Sequence, residues 1–261
     1  MNIVVCMKQV VDLQQIRIKR DTRQPVLEGL PLQLGEMDKN ALEEAVRIKE
    51  KHGAKVTVLS VGSIKLKETI LQALAIGADE ASIIVDPACD GSGPGSTALT
   101  IAAAVKKIGS PDLILFGEGS TDNYSGQVYA RVAEILDLPQ VTYVRELTVE
   151  NGAVTAVRDR ENALDVVKSN MPLVVSVTSE INKPRRPPLT QILRASRKPM
   201  NVWTLSDLGI SSDTVSSVES SVRVISNLAP EQERKGIIFQ DDVNEAAGKL
   251  IQALRKEGVF T

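Results

Sequence analysis

Two hydrophobic periods alternate along the first 137 residues, and that alternation leaves few folds open. Ile3-Val4-Val5-Cys6-Met7 is a short unbroken apolar run, the pattern of a strand buried on both faces. Ala41, Leu42, Ala45, Val46 and Ile48 then recur at helical spacing, after Asp38 opens the helix and before His52-Gly53 ends it. The unit repeats. Val56 to Val61 reads as a strand, 65–76 as an amphipathic helix capped by Gly77, and Ala81 to Val85 as a strand. Residues 96–108 read as a helix with Ser96 or Thr97 as N-cap, Leu113 to Phe116 as a strand and 124–137 as a helix. Strands alternating with helices of ordinary length predict a doubly wound, mostly parallel α/β sheet.

After Pro139 the pattern changes. Val141 to Val149, the turn Glu150-Asn151-Gly152 and Val154 to Arg158 predict an added antiparallel β-hairpin, with Ala163 to Lys168 as a third strand. Leu173 to Val177 returns to a buried strand, and Val222 to Ile225 reads as a short one. Residues 14–28 read as a small polar hairpin. Residues 205–220 are Ser-rich and polar, the composition of a linker. Residues 241–256 form an amphipathic helix with Val243, Ala246, Leu250, Ile251 and Leu254 on one side. The reading is therefore an α/β domain over 1–205 and a C-terminal helical arm over 206–261 that docks on a partner.

Composition narrows the chemistry. The single histidine, His52, sits at a helix end, so Ser-His-Asp and Cys-His catalysis and histidine-rich metal sites are nearly excluded. Two cysteines, Cys6 and Cys89, suggest neither a zinc site nor a disulfide framework. A net charge of −2 and 3% aromatic residues give no footprint for nucleic acid. No apolar run is long enough to span a membrane and no secretory leader pattern opens the chain, so a cytoplasmic setting is expected.

The segment Gly117-Glu118-Gly119-Ser120-Thr121-Asp122-Asn123-Tyr124-Ser125-Gly126-Gln127-Val128 follows the fourth strand and leads into a helix. Ligands of open parallel sheets bind beyond the carboxyl ends of the strands. Glycines there let backbone N–H groups approach a phosphate, hydroxyls add donors, and the helix N-terminus adds partial positive charge. The alternative is an ordinary strand-to-helix loop with Asp122 or Ser125 as N-cap. A second loop, Asp90-Gly91-Ser92-Gly93-Pro94-Gly95-Ser96, looks like a phosphate cradle but lacks a P-loop ending and any strict GxGxxG, and the favoured reading is a flexible connection with a helix cap. Further on, Lys183-Pro184-Arg185-Arg186-Pro187-Pro188-Leu189 concentrates one sign of charge around one stiffly presented apolar side chain. Charge that steers an encounter and an anchor that fixes it suit a transient protein contact; solvated charge is the alternative.

These stretches in their order, VVCMKQVVD, ALEEAVRIKEK after Asp38, LQALAIGADEA, the loop at 117–128, LPQVTYV, MPLVVSV, PRRPPLTQILRASRK and SDLG, resemble the beta subunits of electron-transfer flavoproteins over essentially the whole chain. The resemblance implies a Rossmann-like, adenine-nucleotide-binding fold and a heterodimer. In it an alpha subunit holds most of an FAD, and the beta subunit buries AMP and meets acyl-CoA or related dehydrogenases. In electron-bifurcating members a second FAD replaces AMP and NADH is the donor. The implied nucleotide contacts fall on Cys6; on Gly35, Glu36, Met37 and Asp38; on Val61; and on Gly117, Gly119, Ser120, Thr121, Asp122, Ser125, Gly126, Gln127 and Val128. The implied docking anchor falls on Leu189, with Lys183, Arg185 and Arg186 as steering cations. The implied role is electron carriage with no catalytic residue of its own. The chain departs from the family at Gly35, where Asn is common. It departs from the bifurcating loop, Asp-Gly-Asp-Thr-Ala-Gln-Val-Gly-Pro, at Tyr124 and at Tyr129-Ala130.

Overall fold

A computed structural model describes residues 1–218, 224–231 and 235–259. In chain order the elements are β1 (Asn2–Cys6), β2 (Gln9–Val11), β3 (Arg17–Ile18), β4 (Pro25–Val26), β5 (Leu32–Leu34), α1 (Glu36–His52), β6 (Lys55–Val61), α2 (Leu66–Ile76), β7 (Glu80–Ile84), α3 (Pro94–Ile108), β8 (Leu113–Gly117) and α4 (Val128–Leu136). They continue with β9 (Gln140–Glu150), β10 (Ala153–Arg160), β11 (Ala163–Asn170), β12 (Leu173–Val177), α5 (Leu189–Ala195), β13 (Met200–Trp203), α6 (Ser212–Ser217) and α7 (Val243–Lys256). Among the described residues no helix is long and apolar enough to cross a membrane.

A nine-stranded sheet in the order β11-β10-β9-β12-β8-β1-β6-β7-β13 organises the first unit. From β9 to β13 neighbouring strands run parallel; β10 and β11 add antiparallel at the edge. The apolar runs have no polar alternation because both faces are covered. On β1, Ile3 and Val5 join the core on the α1 and α2 side, and Val4 and Cys6 join the core on the α3 and α4 side. The chain leaves β1 outward through β6 and β7, then crosses back to place β8 on the other flank. The strand order therefore reverses between β1 and β8, which opens a crevice at their carboxyl ends.

The hairpin forms where Asn-Gly predicts it, with Asn151 at φ 49° and Gly152 at φ 78°, and the third strand pairs beside it. The starts of α1, α3 and α4 differ from the sequence reading for identifiable reasons. α1 opens at Glu36 behind Gly35, not at Asp38. α3 opens at Pro94 behind Gly93, since Pro is pre-set for a first turn, and the Ser96 hydroxyl turns away to the Val215 carbonyl at 2.7 Å. α4 opens only at Val128, because Tyr124 (φ 42°) and Gly126 (φ 60°) hold left-handed backbone that a helix cannot include.

The boundary also moves. The first unit is Met1–Arg17 with Val26–Ser226, and the second is Ile18–Pro25 with Asn227–Thr261. The polar stretch after Leu205 is not a free linker: Leu205 and Val215 are buried in the α3 and α4 core, and a Cβ on Gly95 would meet the Val218 carbonyl at 2.7 Å. The strand expected at 222–225 begins outside the described residues. Within the second unit, Ala229 N–H donates to the Arg23 carbonyl, Arg23 pairs with Glu231 at 2.9 Å, and the Asp242 side chain caps α7. Val243, Leu250 and Ile251 on α7 are exposed.

Truncation after Ser226 should leave the first unit folded. Truncation after Leu205 should destabilise it, by about 2 kcal/mol for Val215 alone. Denaturant midpoints of the two truncated chains check this; equal midpoints would restore the boundary at 205.

Candidate functional site

The crevice begins with one carboxylate. The first turn of α1 lies across the ends of β1 and β8, and Asp38 accepts N–H donors from both strand ends: Lys8 to Oδ2 at 2.7 Å and Gly117 to Oδ1 at 3.3 Å. Two glycines make room for it. A Cβ on Gly117 would lie 2.7 Å from Asp38 Oδ1 and 2.8 Å from Met37, and one on Gly35 would lie 2.7 Å from Asp38 Oδ2. Asn at 35 therefore could not coexist with this Asp38 rotamer. Burial pushes the Asp38 carboxyl up to about 7, against the two backbone donors and Lys8, which pull it down. Burial raises the Cys6 thiol as well, and the Asp38 charge adds to that.

The loop after β8 folds over this floor. Glu118 N–H donates to the Val177 carbonyl, tying the loop's start to β12, and Tyr124 N–H donates to the Ser120 carbonyl, which closes a turn within the loop. The Tyr124 ring lies against bare Gly119, and its hydroxyl donates to Glu118 Oε1 at 3.0 Å. Lys8 Nζ reaches Asp122 at 2.7 Å, linking the end of β1 to the loop. Behind the loop Tyr129 is buried edge-on to Phe116, centroids 6.4 Å apart. Burial raises its phenol, and a hydrogen bond with Tyr143 adds to that. Tyr143 sits at φ 57° where β9 shifts register against β10 and β12, and its N–H donates to Ser176 Oγ at 3.2 Å.

Of the residues expected here, Cys6, Asp38, Gly117, Gly119, Ser120, Ser125, Gly126, Gln127 and Val128 line the crevice. Asp122 stands beside it through Lys8. Gly35 and Met37 act from beneath, by making room and by packing on Gly117. Glu36 is exposed and pairs with Lys39, and Val61 packs into the α3 and α4 core at the end of β6. Thr121 is outside the lining.

Sequence reading did not assign Met7, Lys8, Ser92, Pro94, Thr97, Ile101, Phe116 and Tyr129 to the site. The loop read as a flexible connection thus carries the start of α3 to the crevice. The start of that 15-residue helix carries no side-chain cap and brings the Ser92 and Thr97 hydroxyls to the lining. The legible signal was the pairing of two Gly-rich loops, each followed by a helix.

The second predicted surface differs in one residue. Leu189 is 70% exposed at the start of α5, and Ile192 (51%) and Leu193 (67%) extend it one turn along the same face. Lys183 and Arg186 are exposed and enter no ion pair among the described residues. Arg185 does not stand free as a steering cation: Glu43 and Glu50 of α1 hold it.

Because Asp38 is raised, the folded chain keeps a proton that the unfolded chain releases between about 4 and 7. Stability from this group is full at low pH and declines as pH rises through 7. The Asp38 side-chain carbon, followed by NMR, should titrate near neutrality. Between pH 5 and 8 the chain should lose more unfolding free energy than Asp38→Asn does. A midpoint near that of an exposed aspartate would refute it.

Comparison with known proteins places the chain in a family. Residues 26–208 match the electron transfer flavoprotein domain. The chain is 35% identical over 261 residues to an electron transfer flavoprotein subunit beta of Thermoanaerobacterium thermosaccharolyticum, covering 100% of each. It is 35% identical over 257 residues to one of Clostridium acetobutylicum, covering 98% of this chain and 99% of the other. It is also 33% identical over 262 residues to the caffeyl-CoA reductase-Etf complex subunit CarD of Acetobacterium woodii, covering 100% of each. Matched by the family model over 26–208 and by relatives along its whole length, the chain belongs to the electron transfer flavoprotein family, among relatives of its beta subunits.

Proposed function

We propose that this chain is the beta subunit of a heterodimeric electron carrier that holds AMP in the crevice between β1 and β8, helps seat an FAD held mostly by an alpha subunit, and presents α5 to a dehydrogenase. The carrying observation is the composition of the crevice at the strand-order reversal. Its polar part offers the Lys8 ammonium and the hydroxyls of Ser92, Thr97, Ser120 and Ser125, a donor set suited to a phosphate. Its apolar part, Cys6, Ile101, Phe116 and Tyr129, suits a flat heterocycle. The redox chemistry belongs to the flavin, so no side chain here has to act as acid, base or nucleophile.

The open apolar stripe of α7 supports docking on the alpha subunit, and the exposed face of α5 supports a transient partner. The name of the Acetobacterium relative, a subunit in a complex with caffeyl-CoA reductase, supports a partner that oxidises or reduces acyl-CoA thioesters.

Mass spectrometry of ligands released on denaturing the alpha-beta complex should find one FAD and one AMP per heterodimer. Two FAD would place the chain with the bifurcating members; no adenine nucleotide beyond FAD would refute the crevice assignment. Gly126 holds φ +60°, with Glu118 O and the Tyr129 and Tyr143 hydroxyls 3.9 Å from a Cβ placed there. Gly126→Leu should therefore strain the loop, fill the space and expel most of the AMP while FAD stays.

A further inference from the structure

We propose that Arg185 is a positioning residue, clamped between Glu43 and Glu50 of α1 so that the loop it belongs to presents Leu189 in a fixed place. The inference rests on the docking role given to α5 above, and it reverses the steering role that sequence reading gave Arg185.

The geometry is a fork on two carboxylates. Arg185 Nε donates to Glu43 Oε2 at 2.8 Å and Nη2 to Glu43 Oε1 at 3.1 Å. Nη1 and Nη2 both reach the Glu50 carboxylate, Nη2 at 3.0 Å, and the Arg185 backbone N–H also points at Glu43 Oε2 at 3.2 Å. Glu43 is only 3% exposed, and its other partner is Arg47 Nε at 2.8 Å. Two cations and two anions thus form a neutral group. A neutral group sends little field toward an approaching partner, so steering falls to the unpaired Lys183 and Arg186.

The segment before Arg185 is held on the same helix. Asn182 Nδ2 donates to the Asn40 carbonyl and to Glu44 Oε2, both at 3.0 Å, and Asn40 Nδ2 donates back to the Asn182 carbonyl at 2.8 Å and the Ser179 carbonyl at 3.2 Å. Between Arg185 and Leu189 stand Pro187 and Pro188, whose rings fix φ. A short stiff span carries the placement of Arg185 to Leu189. Lysine could keep the charge but not the planar fork that meets two carboxylates at once.

The test uses the alpha-beta complex and its dehydrogenase, with affinity by titration, association rate by stopped flow and amide exchange of residues 182–186. If Arg185 steers, Arg185→Lys keeps the association rate and Glu43→Gln, by unbalancing the clamp toward positive charge, raises it. If Arg185 positions, both variants speed exchange in 182–186. Both should also weaken binding on the order of tenfold, as expected when the competent loop falls to about a tenth of the population. Glu50→Gln, at the exposed end of the clamp, gives the same sign should Glu43→Gln not fold. Leu189→Ala, which removes an anchor worth ~2 kcal/mol, should weaken binding about thirtyfold without altering exchange in 182–186. Unchanged exchange and affinity in Arg185→Lys, with Leu189→Ala impaired, would overturn the clamp alone. Unchanged affinity in Leu189→Ala would overturn the docking role, and with it the purpose of the clamp, even where exchange in Arg185→Lys is faster.

Discussion

One buried carboxylate closes the centre of this molecule. β1 and β8 diverge in their connections, and the backbone N–H groups at their ends lose ladder partners where the crevice opens. Asp38 supplies both acceptors, to Lys8 and Gly117, and so fixes α1 against the sheet. That arrangement requires Gly35 and Gly117, since a Cβ at either position would strike the carboxylate. The loop over the crevice, the aromatic pair behind it and the start of α3 are all positioned relative to that junction.

α1 then serves two surfaces. Its first turn forms the floor of the crevice through Asp38, and its middle holds the loop before α5 through Asn40, Glu43, Glu44 and Glu50. Burial pushes Glu43 upward, and the bonds from Arg185 and Arg47 more than offset it, holding the carboxyl below its ordinary range. A helix that looks amphipathic with a charged outer face therefore has carboxylates buried against a loop. The same helix thus fixes two places at once, the crevice floor and the loop before α5.

Much of this was legible beforehand. The unbroken apolar runs of β1, β6, β8 and β12 gave both-face burial, Asn151-Gly152 gave the hairpin, and the loop at 117–128 gave the crevice. The contribution of Ser92 and Thr97 was obscured because a Gly-rich loop has the same composition whether it is slack or presents a helix start. The stretch after Leu205 reads as linker because it is Ser-rich and polar, yet Val215 is buried and its carbonyl accepts from Ser96.

By itself the sequence determined the alternation of strands and helices as far as α4 and the hairpin after it, because periodicity and turns depend on neighbours a few residues apart; β13 and α6, formed of short or polar segments, it did not. Only the tertiary structure decided which charges are free. Arg185 and Glu43 lie 142 positions apart in the chain, and nothing local distinguishes them from Lys183 or Glu36 on the surface. Their pairing follows from the docking of a loop onto a helix face, where a buried carboxylate is tolerated because a cation arrives with it.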